Sequence, residues 1–117
     1  QHIDPAWTQY WPEPPFPAFP SGHSIHSAAA ATVLTDLFGE SLPFTDHSHK
    51  GKRRYEADPR FLDLTYPARS YSSFWDAANE SAYSRFLGGI HTKQDNDVGQ
   101  QEGKKIGENV NALQWKK

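Results

Sequence analysis

Hydrophobic and polar positions change their rhythm several times along the chain. Residues 1–20 carry prolines at 5, 12, 14, 15, 17 and 20. Proline lacks an N–H and restricts the residue before it, so this head is extended or turning, not helical. From Ser24 a new pattern begins: Ile25, Ala29, Val33 and Leu37 recur every fourth residue, with Ala30, Leu34 and Phe38 alongside. That spacing predicts an amphipathic helix over 24–38 with a broad buried face, closed by Gly39. Residues 40–72 keep no sustained period and contain Pro43, Pro59 and Pro67. They read as one long loop, which is unusual inside a compact domain and often functional.

Ser73-Phe74-Trp75-Asp76 fits a capping box and opens a second helix over 73–87, stopped by Gly88-Gly89. A third helix fits 95–113, with Val98, Ile106, Val110 and Leu113 on one side. Gly99, Gly103 and Gly107 form a second strip on it, at i, i+4 and i+8. A helical glycine costs ~1 kcal/mol against alanine, so three in register predict close backbone packing against another helix. No strand pattern and no internal repeat is visible. The fold class expected is all-α, as one helical domain with a proline-rich entry segment over 1–20.

Composition narrows this picture. A chain of 117 residues has the length of one domain and buries ~60–70 % of its unfolded surface. Only 36 % of the residues are hydrophobic and the mean hydropathy is −0.81, which is lean for a core. Sixteen aromatics nevertheless argue for a globular chain, since disordered segments are poor in them. The net charge of −2 calls for neither a nucleic-acid partner nor an anionic membrane. The basic run Lys50-Gly51-Lys52-Arg53-Arg54 is followed at once by Glu56 and Asp58 and reads as a solvated loop. Cysteine is absent, which removes disulfides, thiol nucleophiles and thiolate metal ligands. No apolar run approaches the ~18–20 residues of a membrane span, so no membrane partner is expected, and the compartment stays open.

Candidate chemistry gathers at two places. Pro20-Ser21-Gly22-His23 sits at the mouth of the first helix, where unpaired N–H groups and the helix dipole attract anions. Ser21 offers a hydroxyl donor, Gly22 lets a ligand approach the backbone, and His23 exchanges a proton near neutrality. The same residues also fit an ordinary N-cap serine followed by a turn glycine. On the second helix Arg85 shares a face with Trp75, Ala78 and Ala82, an inward position that an arginine takes when an anion or carboxylate meets it. His91 lies just past the glycine break, and Asp95 four residues on, where a carboxylate can hold the far ring nitrogen. A paired His-Asp is equally a structural contact. Together these groups surround one tetrahedral oxyanion, with His91 attacking or coordinating its centre and His23 opposite as acid or base. Asp46, His47 and His49 lie in the loop without zinc-ligand spacing.

Pro20-Ser21-Gly22-His23, followed by Ser84-Arg85, five residues, His91, three residues and Asp95, resembles two of three signature motifs of one superfamily. It is the superfamily of type-2 phosphatidic acid phosphatases and vanadium-dependent haloperoxidases. The flanking text, "PPFPAFPSGHS" and "SRFLGGIHTKQDNDVGQQEGKKIG", is closer to the haloperoxidase branch. The resemblance covers about Asp4 to Val110 and implies a helical bundle that holds vanadate. It implies His91 as the single protein ligand to vanadium, Asp95 as its partner, and Ser21, Gly22 and Arg85 as oxyanion-binding groups. His23 becomes the acid/base. Hydrogen peroxide, a halide and an organic acceptor are the implied substrates, giving a hypohalous equivalent. In the phosphatase branch the same His91 forms a phosphohistidine, and phosphate fits where vanadate does; a non-catalytic oxyanion-binding relative is the third alternative.

Phe16 occupies a position tied to halide preference, where an aromatic resembles the chloroperoxidases and a histidine the bromoperoxidases. His26 shares a helix face with His23 and either tunes it or is a buried, satisfied histidine. The family's first motif, a lysine and an Arg-Pro pair, belongs upstream of the Pro-Ser-Gly-His segment, yet no Lys or Arg precedes Lys50. The expectation is therefore a C-terminal part of a larger protein, whose own activity as a fragment is open. Helices cut from a bundle expose apolar faces, so self-association or a retained N-terminal fragment is also expected.

Overall fold

The computed structural model describes residues 4–7, 11, 14–52 and 65–113. Its elements run α1 (Gly22–Phe38), β1 (Phe44–Asp46), β2 (Arg69–Tyr71), α2 (Phe74–Leu87) and α3 (Lys93–Asn111). The architecture is an all-α bundle: α1 packs along α3 and also against α2, while α2 and α3 touch only slightly.

α1 starts at Gly22, two residues earlier than the hydrophobic period suggests. Ser21 is its N-cap, and the serine hydroxyl accepts from Ser24 N. A cap acts one turn before the first apolar residue, so the helix begins before its periodicity does. Gly39 ends it at φ 93°, a left-handed conformation that favours glycine, with its N–H on Thr35 O. The face that is buried also differs from the expected one. Ser24, Ala28 and Ala31 are buried, whereas Ile25, Ala29, Val33 and Leu34 are half-covered and Ala30, Leu37 and Phe38 are exposed.

The glycine strip explains that rotation. A Cβ placed on Gly99 would stand 2.7 Å from Ser21 O, and one on Gly107 would stand 2.8 Å from Ala29 O. At Gly103 it would fall on Ile25 O. α3 thus presents bare backbone to α1, and small residues on α1 bring the two helices closer than a leucine face would. The only buried apolar residues among those described are Ala28, Ala31, Ala78 and Ala82. Larger side chains such as Phe38, Leu87 and Leu113 remain more than 60 % exposed, which leaves apolar faces uncovered.

The stretch expected as plain loop holds a short antiparallel ribbon, β1 with β2, pairing Phe44 with Tyr71 and Asp46 with Arg69. Three-residue strands are too short to show a period of two. The ribbon is pinned to α2 by side chains. Tyr71 Oη and Arg69 Nη2 both donate to Glu80, at 2.7 and 2.6 Å, and Phe44 packs on Phe74 with ring centroids 5.5 Å apart. Arg53, Arg54 and Pro59 lie outside the described residues.

α2 opens as expected on the Ser73 cap, whose hydroxyl accepts from Asp76 N at 3.0 Å. The reciprocal arm is displaced: Asp76 accepts from Ser72 N, not from Ser73. The complete capping box belongs to α3, where Asp95 N donates to Thr92 Oγ1 and Thr92 N to Asp95 Oδ2. That box starts α3 at Lys93, before the expected residue 95, and the helix ends at Asn111, not at 113.

Candidate oxyanion site

Three chain segments converge where the bundle ends: the Pro14–His23 approach, the α2 to α3 turn, and the first turn of α3. The α1 N-terminus is hung directly on α3, since Ser21 N donates to Asp95 O at 3.0 Å. The turn carrying His91 is held by α2, whose Arg85 carbonyl accepts from Ile90 N and His91 N at 3.2 and 3.4 Å. Trp11 N donates to Gly88 O, and a Cβ on Gly88 would stand 2.5 Å from Trp11 Cδ1, so the proline-rich approach lies on the same turn.

His91 is the centre of this arrangement. Its side chain is fully buried, and neither ring nitrogen has a hydrogen-bond partner among the described residues. Arg85 Nε is likewise buried and unpaired, and burial holds the Arg85 guanidinium below its ordinary pKa. A buried polar atom without a partner is costly, and such atoms in a native site point to an absent group. The His91–Asp95 hydrogen bond suggested by their spacing is not formed. Nδ1 lies 3.9 Å from Oδ2, because that oxygen accepts from Thr92 N at 2.7 Å to complete the capping box. His91, just ahead of the Thr92 cap, and Asp95, in the first turn of α3, nevertheless stand within ion-pair reach.

Ser21 is wholly buried, and its hydroxyl is occupied by the cap and by Ser24 Oγ at 3.0 Å. A ligand meets it only when the covering groups part. Gly22 is different: a Cβ there would meet nothing within 4 Å, so open space lies over this backbone. Phe16, with Pro14, Ala18 and Ile90, lines a shallow recess against His91. His26 is exposed, which corrects the reading of it as a buried, satisfied histidine. It looks outward because the inward stripe of α1 is Ser24, Ala28 and Ala31.

His23 is exposed but electrically tied to the others. Its pKa falls below the ordinary 6.5 through partial burial first, then the positive charge of Arg85, His91 and His26. The Arg85 guanidinium beside His23 suits an anion, with the Asp95 carboxylate within ion-pair reach of His91 on the other side. The sign of the consequence is fixed. Protonated His23 is disfavoured in the fold, so its contribution lowers stability as pH falls from 6.5 through the folded pKa and vanishes above 6.5. A bound oxyanion reverses the repulsion and raises the pKa. In an NMR titration the His23 ring is expected to titrate below 6.5 alone and higher with phosphate present. An unmoved midpoint would separate His23 from the anion.

Two residues next to this site escaped the sequence reading, Ser24 and Asn96. Both are buried, and Ser24 Oγ stands 3.0 Å from Asn96 Oδ1. The signal for Asn96 was its register, three residues before Gly99 on the strip that faces α1. A polar side chain in that stripe must meet a polar partner. Among the described residues no group of three or more His, Cys, Asp or Glu could hold a metal ion, and no helix is long and apolar enough to cross a membrane.

Comparison with known proteins adds an independent line. The family model of the VCPO second helical-bundle domain matches residues 1–116. The crystal structure of the first bacterial vanadium-dependent iodoperoxidase superposes with a TM-score of 0.77 at 41 % sequence identity, covering 96 % of this chain and 25 % of that one. The holo form of a bacterial vanadium-dependent chloroperoxidase gives a TM-score of 0.71 at 22 % identity, covering 88 % of this chain and 22 % of that one. Its apo counterpart gives 0.69 at 22 % identity, with 87 % and 22 % covered. The chain thus spans a quarter or less of the length of these solved relatives. No curated protein matches.

Proposed function

Because this chain belongs to the vanadium-dependent haloperoxidases, we propose that it supplies the vanadate-holding histidine and the proton-exchanging histidine of a halide-oxidising site. The buried His91 imidazole, with both nitrogens unpaired, is the observation that carries this reading. One of those nitrogens would hold vanadate, and Arg85 and the Gly22 N–H would face its oxygens. The donor set fits: a neutral imidazole suits a metal centre, while a guanidinium and helix-end N–H groups suit negative oxygens. Vanadate, when bound, supplies a Lewis-acid centre that makes hydrogen peroxide electrophilic. In net terms peroxide, halide and one proton give hypohalous acid and water, and the halide loses two electrons. An organic acceptor then takes up the halogen.

His23 would provide that proton. Its lowered pKa makes it a ready donor once protonated, and its exposure lets solvent reload it. Asp95, fixed by the capping box, would keep a carboxylate near the far side of His91. Phe16 would make one wall of the His91 recess apolar.

For the halide we propose iodide. The relative at 41 % identity is an iodoperoxidase, whereas the chloroperoxidases stand at 22 %. Phe16 alone pointed toward chloride by resemblance, and one aromatic side chain weighs less than identity over 96 % of the chain. The test is triiodide formation by the full-length protein with peroxide, with and without vanadate, beside bromination and chlorination of an organic acceptor. Vanadate-dependent iodide oxidation well above the other two is expected. Equal chlorination would overturn the iodide assignment. Phosphate-ester cleavage by the vanadate-free protein, with no halide oxidation on loading, would move the site to the phosphatase branch.

A further inference from the structure

α1 carries a second seam besides the one that faces α3. His23, His26, Ala30, Val33 and Leu37 follow one another at spacings of three, four, three and four residues. That is the rhythm of side chains that meet a partner helix. The stripe lies apart from Ser24, Ala28 and Ala31, the buried residues of α1. His23, His26 and Ala30 are exposed, Leu37 is 38 % exposed, and Val33 is half-covered. Among the 17 residues of the helix, Asp36 is the one Asp, Glu, Lys or Arg. A helix this poor in charge on every side belongs in an interior, with a partner on each face. The outward positions of α3 differ: Lys93, Asp97, Lys104, Lys105 and Glu108 make the charged face that water covers.

We infer that this stripe is the docking seam for a helix of the same polypeptide, from a bundle that precedes this one in chain order. The matching family model is that of a second helical-bundle domain, so a bundle ahead of it belongs to the family's architecture. The solved relatives extend well beyond the matched part, which is 25 % of the iodoperoxidase. The chemistry of the stripe fits that occupant. Alanine and valine let a helix come close, and Leu37 supplies an apolar knob at the far end. No lysine or arginine stands on α1 to draw a nucleic acid or an anionic membrane. The stripe starts at His23, so one end of the docked helix borders the oxyanion cradle. The inference rests on family membership and the α1 pattern, not on vanadate chemistry, and fails independently of it.

Ala30→Asp in the full-length protein tests the seam. At an open helix position this change is nearly silent, but under a docked helix it buries an unpaired carboxylate. The melting temperature is expected to fall by about 5–15 °C. Gln101→Asp, on the exposed side of α3, is expected to shift it by about 1 °C or less. Equally small shifts in both would overturn the seam. Sedimentation separates the occupants. If Ala30→Asp merely splits a dimer into stable monomers, the occupant is a second copy and the assignment is overturned. Should Ala30→Asp fail to fold, Ala30→Cys reads the same contact with a side chain little larger than the native one. Its alkylation in the native protein, above the wild-type background, is expected to be at least about tenfold slower than that of Gln101→Cys. A diazirine analogue of leucine at position 37 is expected to crosslink to peptides from ahead of residue 1. Equal alkylation rates, or crosslinks confined to residues 1–117, would overturn the docking.

Discussion

Replacing His91 by alanine is expected to abolish vanadate-dependent iodide oxidation, with turnover falling by more than about 100-fold. Loss of a hydrogen-bond partner behind a metal ligand already costs about 10–100-fold in affinity or activity, and loss of the ligand itself costs more. The fold is expected to survive the change. Neither ring nitrogen bonds to a described residue, so truncation leaves no polar partner stranded. What is lost is side-chain volume in a small buried space, worth about 1–3 kcal/mol. Steady-state kinetics at saturating vanadate, paired with a vanadate titration, separates the two effects. Binding and turnover should fall together while the helical circular-dichroism signal remains. Vanadate-dependent turnover persisting in His91→Ala would take His91 out of the ligand role.

The site was more legible in the sequence than the packing that builds it. Arg85 could be singled out because an arginine rarely faces a core, and His91 because Asp95 follows it at the spacing of one helical turn. The His91 ring and Arg85 Nε are buried, but neither has the hydrogen-bond partner that the sequence led one to expect. Asp95 was harder. Its spacing from His91 is one helical turn, but its spacing from Thr92 is that of a capping box, and one carboxylate oxygen was already committed there. Sequence spacing lists the partners within reach and does not say which of them wins.

Ser24 and Asn96 were missed for a related reason. Short polar residues inside a helix usually face water, and only the neighbouring helix reveals that these two face inward. The glycine strip was the more informative pattern. It announced a close helix contact, though not that the partner would be the Ser24–Ala28–Ala31 face one residue away from the most hydrophobic stripe of α1. Hydrophobicity ranks the faces of an isolated helix, whereas volume decides which of them fits against bare backbone.

That contact makes Gly103→Ala the second large expected effect, and the less intuitive one. Alanine is the better helix former by about 1 kcal/mol, so by propensity alone the change stabilises. Here the new Cβ falls on the Ile25 carbonyl oxygen and stands 2.9 Å from Ala28 Cβ. The obstacle is mainly the backbone of α1, which cannot rotate aside, so the helices must separate. Overpacking of this kind costs about 1–3 kcal/mol or more, which outweighs the propensity gain. The melting temperature is expected to fall by about 5–15 °C. The same substitution at Gly22, where nothing lies within 4 Å, is expected to leave thermal stability unchanged. Separation of α1 from α3 also stretches the Ser21 N–Asp95 O bond that holds the two walls of the site together, now 3.0 Å. Folded Gly103→Ala protein should therefore bind phosphate more weakly although residue 103 touches no ligand. A melting temperature at or above that of the wild type would mean that propensity prevails and that α1 and α3 are not in backbone contact.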